Sequence, residues 1–127
     1  MPEMLTRDEA VLLFDRRRRA WLDGDLDAYL ALFAENLVFL SPVHAEPLRG
    51  RAAFAELVRG SFARMQPLSF DFREIAVQGD AVLAEWRIET ELRDGGRRIA
   101  WDGMSICRIE NGEIQYWREY WNPGDLK

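Results

Sequence analysis

The stretch DGMSICRIENGEIQYWREYWN, residues 102–122, decides the fold. Asn111-Gly112 lies in its middle, and an Asn-Gly step between two alternating apolar runs is a strong signal for a two-residue β-hairpin. Successive side chains of a strand point to opposite faces, so Trp117, Glu119 and Trp121 share one face. The stretch therefore predicts a hairpin that carries a carboxylate between two indoles. Alternation alone leaves open whether that face lies inside the protein.

The chain before this hairpin has the same two-residue period. From Leu68 onward, turn signals at residues 78–80 and 94–96 separate the apolar runs. We predict four consecutive antiparallel strands with an apolar inner face and a polar outer face. The predicted inner-face residues are Ala84, Trp86, Ile88 and Thr90, followed across the turn by Ile99, Trp101, Gly103, Ser105 and Cys107.

The N-terminal third has the period of helices. Thr6 and Glu9 form a capping box for a helix that we expect to end near Asp23. Its apolar stripe contains Phe14 and Trp21, and the position between them at helical spacing is Arg17. We therefore predict that Arg17, out of the run of four arginines at 16–19, faces inward.

A second short helix is predicted after Gly24, with apolar residues from Leu26 to Phe33 at helical spacing. Residues 37–40 then predict a strand, and 41–50, with two prolines and a glycine, a loop. A third helix is expected over about 51–65, ended by Pro67. Helices followed by a meander predict an α+β fold, in which three helices pack on a curved, mostly antiparallel sheet shaped as a cone with an open end.

Composition bounds the class of protein. The chain has 127 residues, 48% of them hydrophobic, which fits one compact domain over residues 1–127. The net charge of -5 argues against nucleic-acid partners. The start MPEMLTRDEA lacks the pattern of a signal peptide, and no long apolar run suggests a membrane segment, so we expect a cytoplasmic protein. With one cysteine and one histidine, we expect no metal or other cofactor.

The chain resembles the nuclear transport factor 2 superfamily, in particular its SnoaL-like polyketide cyclase and ketosteroid isomerase branches. The resemblance rests on GDLDAYLALFAENLVFLSPVHAEPLRG at 24–50, on the helix that follows, and on residues 102–122. It implies the cone-shaped α+β barrel. It implies the reaction much less firmly, because this fold hosts many functions.

The residues at the ketosteroid isomerase positions differ from that family. There, an aspartate before the Pro-Val of the loop is the general base, and a helix tyrosine and a protonated strand aspartate form the oxyanion hole. The matching positions here hold Ser41, Arg17 and Ser105. Without a carboxylate at either aspartate position, steroid isomerisation by that mechanism is not expected.

SnoaL-like cyclases have an acidic acid/base catalyst on the last strand, and Glu119 matches that position. The resemblance therefore places Glu119 toward the cavity. Burial would raise its pKa, and a nearby Arg17 would lower it. We predict Glu119, Arg17 and His44 as candidate catalytic residues, the histidine because it lies in the loop expected at the cavity mouth.

The aromatic residues predict the class of ligand. Tryptophans on a concave face favour an apolar, cyclic ligand, although they could equally fill the core. The serines are candidate hydrogen-bond donors to that ligand. The predicted substrate-binding residues are Trp21, Phe39, Ser41, Phe54, Trp86, Trp101, Ser105, Trp117 and Trp121.

The outer face of the last strands predicts a partner. Ile114, Tyr116, Tyr120, Met104 and Ile106 form an outer apolar patch larger than a monomer normally exposes, so we expect a homodimer packed sheet against sheet.

Three functions remain open from the sequence. The first is a cofactor-independent isomerase or cyclase that moves a proton next to a carbonyl. The second is a non-catalytic dimeric ligand-binding domain, in which Arg17 and Glu119 form a buried polar link. The third, epoxide hydration, needs two carboxylates and an arginine around one water, and only Glu119 is predicted to face inward.

Overall fold

We obtained a computed structural model of the chain, which describes residues 5–126. Three helices precede or interrupt a sheet of six strands. The helices are α1 (Arg7–Asp23), α2 (Leu26–Leu30) and α3 (Arg51–Arg64), and a short 3₁₀ turn, Pro123–Leu126, follows the last strand. The strands are β1 (Phe33–Leu40), β2 (Leu48–Arg49), β3 (Met65–Gln78), β4 (Ala81–Leu92), β5 (Arg98–Glu110) and β6 (Glu113–Tyr120).

The sheet has the order β2-β1-β6-β5-β4-β3. Every pairing is antiparallel except that of β1 with β6, which is parallel. The meander from β3 to β6 confirms the four consecutive antiparallel strands predicted from the sequence, and the fold is α+β. No helix within residues 5–126 is both long and apolar enough to cross a membrane.

Helix α1 begins and ends where its caps predict. Thr6 Oγ1 accepts a hydrogen bond from the Glu9 backbone N–H at 3.1 Å, and the Thr6 backbone N–H donates to Glu9 Oε1 at 3.3 Å. Gly24 closes the helix in the left-handed region, with φ of 65°, a conformation that glycine adopts without steric cost. The inward stripe of α1 is buried, and Arg17 is part of it, as predicted.

Two predicted boundaries are wrong. Helix α2 ends at Leu30, and Phe33, which we expected on that helix, is the first residue of β1. Phe33 is aligned with Ile114 of β6, so strand pairing overrides the local helical period. Helix α3 ends at Arg64, before Pro67, and Pro67 lies inside β3. That strand forms an edge of the sheet, where a proline without an N–H is tolerated.

The β5–β6 hairpin has the predicted two-residue turn, but its register changes beyond it. Asn111 and Gly112 have φ of 54° and 75°, as a type I′ turn requires. Arg108 is aligned with Tyr116 and Ile109 with Ile114, so Gln115 is an extra residue in β6. This bulge reverses the alternation, and Ile114 is therefore buried, which corrects its predicted place on the outer patch.

The inner face of the sheet is packed as predicted, and Gly103 lies close against Trp86. The two residues are aligned across β4 and β5. A Cβ atom placed on Gly103 would lie 2.4 Å from the Trp86 ring, closer than van der Waals contact allows. The glycine therefore makes room for the indole.

We predict that Gly103→Ala lowers the free energy of unfolding by about 1–3 kcal/mol, because the buried Trp86 ring must move out of a packed core. Urea unfolding of wild type and variant measures the difference. Gly60→Ala is the matched control, since Gly60 lies in α3 and a Cβ atom placed on it would meet no other atom within 4 Å. That control should gain about 0.5–1 kcal/mol from helix propensity. A Gly103→Ala protein as stable as wild type would contradict the packing described.

Candidate functional site

A cavity of about 190 Å³ lies between the helices and the inner face of the sheet. Its walls come from every layer of the fold. Apolar side chains such as Phe54 of α3 and Trp101 of β5 form most of the lining. The polar groups that border it include Glu119 of β6 and Arg17 of α1. The arrangement is that of a small-molecule site, in which an apolar wall carries a few polar groups.

Two indoles hold the Glu119 carboxyl group. Trp117 Nε1 donates to Glu119 Oε2 at 3.0 Å, and Trp121 Nε1 donates to Oε1 at 3.1 Å. The three residues alternate along the last strand, so the same period that places them on one face brings both N–H groups to one carboxyl. Each carboxyl oxygen therefore has a fixed direction while the group still borders the cavity.

The environment of Glu119 raises its pKa above the ordinary value of 4.5. Burial is the largest cause, because low-dielectric surroundings disfavour the charged form. The Arg17 charge opposes this rise, followed by the hydrogen bonds from Trp121 and Trp117 and then by His44. Glu119 is partly buried, and it borders the cavity. The net result is a carboxyl group that holds its proton to higher pH than an exposed glutamate does.

Arg17 is buried in a cage of aromatic rings. Its side chain is only 3% exposed, and its Cζ lies 4.0 Å from the centre of the Trp117 ring. Tyr29, Phe33 and Phe70 present rings at 5.2 to 5.9 Å. Such contacts stabilise a desolvated guanidinium by cation–π attraction. The Nε and Nη1 atoms are nonetheless buried without hydrogen-bond partners.

Arg17 and Glu119 do not form the direct pair suggested by the sequence. Among the described residues, Arg17 makes no salt bridge. Trp117 connects the two groups instead, because its ring stacks on Arg17 while its N–H donates to Glu119. The two charges still affect one another, since Arg17 lowers the pKa of Glu119 against the effect of burial.

Ser41 and His44 lie together at the cavity edge. Ser41 Oγ and His44 Nδ1 are 2.7 Å apart, a hydrogen-bond distance. Both border the cavity, as do five of the predicted aromatic residues. These five are Trp21, Phe39, Phe54, Trp101 and Trp121.

Three residues predicted to bind substrate do not border the cavity. Trp86 and Ser105 are buried, and the Trp86 N–H donates to Ser105 Oγ at 3.2 Å. Both groups are therefore satisfied within the core. Trp117 is fully buried beneath Arg17. Alternation correctly gives the face of each residue, but it does not say whether the space in front of that face is filled.

Three polar residues at the cavity, Tyr29, Ser61 and Arg64, were absent from the sequence prediction. Tyr29 of α2 is buried beside Arg17, and burial raises the pKa of its hydroxyl while Arg17 opposes the rise. Arg64, the last residue of α3, also borders the cavity. Leu57, Ser61 and Arg64 follow one another at helical spacing, which is the signal that would have placed Arg64 on the cavity side.

The raised pKa of Glu119 predicts the direction in which the free energy of unfolding changes with pH. Its pKa in the folded protein lies above 4.5, so ionisation of Glu119 opposes folding. The stability that protonated Glu119 contributes to the fold is fully present below pH 4.5, and it is lost as the pH rises through the pKa of Glu119 in the folded state. The unfolding free energy of wild type minus that of Glu119→Gln should therefore fall with rising pH. Urea unfolding across that range measures it, and a difference that stays level or increases would contradict the raised pKa.

Comparison with known proteins gives the family. Residues 14–117 match a family model described as the SnoaL-like domain. The protein YesE of Bacillus subtilis strain 168, described as uncharacterized, is 25% identical over 108 residues, which cover 80% of this chain and 74% of YesE.

Two solved structures have the same fold. A candidate isomerase from Bacillus subtilis is 23% identical with a TM-score of 0.85, and the match covers 94% of this chain and 91% of the other. An LEH-like epoxide hydrolase from M. tuberculosis is 24% identical with a TM-score of 0.79, covering 94% and 86%. At these identities the likeness shows the fold alone, and each activity belongs to its own protein. The family match over most of the sequence shows that the chain belongs to the SnoaL-like domain family.

Proposed function

We propose that the protein is a cofactor-independent isomerase or cyclase that transfers a proton next to a carbonyl group of a small cyclic ligand. The observation that supports this most strongly is the Glu119 carboxyl group, which borders an apolar cavity and is held by two indole N–H groups. An acid/base catalyst needs a fixed direction, a pKa moved toward neutral pH and access to the substrate. Glu119 has all three features.

One carboxyl group can carry out both proton transfers of an isomerisation. The Glu119 carboxylate takes a proton from the carbon beside the carbonyl, which leaves an enolate. The same carboxyl group, now protonated, returns the proton to a carbon of the ligand. Catalysis of this kind by one positioned group is worth about 10²- to 10⁴-fold in rate.

Arg17 is the candidate group for the enolate oxygen. It borders the cavity, and a guanidinium is a cation that offers several fixed N–H donors. Negative charge develops on the carbonyl oxygen as the proton leaves, and a fixed cation in a dry site stabilises that charge more than water does. Arg17 thus has the function that hydrogen-bond donors have in other oxyanion sites, although no hydrogen bond to Glu119 fixes it.

Deuterium exchange tests the proposal. The protein is incubated in D₂O with a panel of small cyclic ketones, and loss of the proton signal beside the carbonyl is followed by NMR. We expect exchange faster than in buffer for the ketones that bind. If ketones bind and none exchanges faster than in buffer, the proposal fails and the binding-domain alternative is favoured. Hydration of epoxides has less support, because Glu119 is the one carboxylate among the described cavity-lining residues.

The proposal includes a homodimer formed through the outer face of the sheet. Met104 and Tyr120 are aligned across β5 and β6 and are 47% and 52% exposed. Leu83, which is aligned with Ile106, extends this outer patch onto β4. Exposed apolar side chains on a sheet face are the kind of surface that a second copy of the chain covers, and Arg118, which is aligned with Ile106, lies among them.

Tyr120→Asp should weaken the dimer, because it places a negative charge on the outer patch, at the end of β6. Light scattering during gel filtration at about 10–50 µM, where ordinary dimers are populated, measures the mass. The matched control is Leu12→Asp, which changes an exposed apolar residue on α1, away from the sheet. Wild-type protein that is monomeric at that concentration would contradict the dimer.

A further inference from the structure

The charged groups around the cavity do not balance. Two guanidinium groups, Arg17 and Arg64, border it, whereas Glu119 is the one carboxylate among the described lining residues. At least one positive charge therefore remains whether Glu119 is ionised or protonated. The whole chain has a net charge of -5, so the positive cavity is a local feature and not a consequence of composition. A low-dielectric cleft of one sign of charge concentrates ligands of the opposite sign.

The unsatisfied polar atoms of Arg17 and Trp21 at this cavity are all donors. Arg17 Nε and Nη1 and Trp21 Nε1 are buried without hydrogen-bond partners. Arg17 and Trp21 are four residues apart on α1, so their side chains are neighbours on one helix face. Buried donors without partners cost folding free energy unless an acceptor reaches them. A group that suits these donors accepts hydrogen bonds and carries negative charge.

The size of the cavity limits the ligand. An apolar cavity of about 150 Å³ in another protein is known to bind benzene. The present cavity, at about 190 Å³, has room for one ring and a small substituent. Trp101 and Phe54 supply the apolar wall for the ring. A fused four-ring skeleton needs considerably more space than this.

We propose that the cavity binds a monocyclic carboxylate, with the carboxylate at Arg17 and Trp21 and the ring against the aromatic wall. This inference rests on the proposed function only in taking the cavity as the ligand site, and it names the ligand class as a small ring acid whose carboxylate occupies the Arg17 position in place of a ketone oxygen. Arg64 is exposed at the end of α3, where it attracts an anion toward the cavity. The carboxylate accepts hydrogen bonds from the donors that lack partners.

Calorimetric titration with three probes of one size tests the charge preference. Benzoate is the anion, benzamide the neutral analogue and benzylammonium the cation. We expect benzoate to bind at least about tenfold more tightly than benzamide, a difference of about 1.4 kcal/mol, with benzylammonium the weakest. Equal or tighter binding of either other probe, or no saturable binding of benzoate, overturns the inference. These comparisons use the wild-type protein and do not depend on any variant.

Variants locate the carboxylate. Arg17→Met should remove the preference for benzoate, whereas Arg16→Met, an exposed neighbour on the same helix, should keep it. Trp21→Phe keeps a ring but loses the N–H donor, and should weaken benzoate by about threefold to tenfold, more than it weakens benzamide, because hydrogen bonds to charged acceptors are stronger. Benzoate affinity that is unaltered in both Arg17→Met and Trp21→Phe overturns the placement.

Glu119→Gln separates this inference from the proposed function. The variant lacks the acid/base group but keeps Arg17 and Trp21, so benzoate should bind it as tightly as wild type or more tightly. Loss of benzoate binding in Glu119→Gln counts against the inference. Benzoate binding without any proton exchange on ketones leaves the inference standing and removes the proposed reaction.

Discussion

Glu119→Gln is expected to slow proton exchange into a bound cyclic ketone by about 10²- to 10⁴-fold, because the amide cannot accept a proton from carbon at neutral pH. The amide is nearly the same size as the carboxyl group and can still accept one indole N–H, so the ketone should bind with a similar dissociation constant. NMR measurement of the exchange rate at saturating ketone isolates the chemical step from binding.

Glu113→Gln is the control for this substitution. Glu113 begins the same strand, β6, at the hairpin turn and does not border the cavity. Its exchange rate should equal that of wild type. Exchange that continues unchanged in Glu119→Gln would remove Glu119 from the reaction, whatever its contacts with Trp117 and Trp121.

Arg17→Met is expected to leave the free energy of unfolding unchanged or to raise it, by up to about 4 kcal/mol. The guanidinium is buried and makes no salt bridge among the described residues, and two of its nitrogen atoms lack partners. The aromatic rings around the guanidinium stabilise it by cation–π attraction, but a methionine of similar length keeps apolar contact with the same rings. The substitution removes the desolvation cost of the buried guanidinium, and this gain should equal or exceed the cation–π attraction that is lost. Urea unfolding measures the balance.

The opposite outcome would support a structural link between Arg17 and Glu119. Removal of one member of a buried ion pair typically destabilises by about 3–5 kcal/mol, so a loss of that size would show that Arg17 holds the fold together. Arg16→Met is the matched control, because Arg16 is exposed on the same helix, and it should change stability by less than about 0.5 kcal/mol.

The main parts of the fold could be predicted because they depend on local chemistry. The capping box at Thr6, the stop at Gly24 and the turn at Asn111-Gly112 each act over a few residues, and each lies where the sequence places it. The two-residue period gave the inner face of β4 and β5, where Trp86 and Cys107 are buried. Burial there also raises the pKa of the Cys107 thiol to about 12, as expected of a core cysteine.

The features that the sequence missed depend on contacts between distant segments. Phe33 belongs to a strand only because β6 lies beside it. The bulge at Gln115, which turns Ile114 inward, leaves no mark in the pattern of apolar residues. Both cases are tertiary interactions that override a local preference.

The sequence predicted which residues belong to the candidate site, but not the contacts between them. Helical spacing put Arg17 on the inner stripe, and the family resemblance chose the face of Glu119. Neither could show that the Trp117 ring lies between them, because that depends on side-chain rotamers packed in three dimensions. The aromatic cage and the two indole donors give Arg17 and Glu119 separate environments. They therefore border the cavity as two groups without a direct salt bridge, although the Arg17 charge still lowers the pKa of Glu119.

The most direct test of this account is the titration of the Glu119 carboxyl group itself. Protein labelled with ¹³C at glutamate carboxyl carbons is titrated by NMR, and Glu119 is assigned by the signal missing in Glu119→Gln. The account predicts a midpoint above the ordinary value of 4.5, since burial outweighs Arg17 and the two indole N–H groups. A midpoint at or below 4.5 would show that the positive neighbours and indole N–H groups outweigh burial, and would contradict the raised pKa that supports Glu119 as the acid/base group.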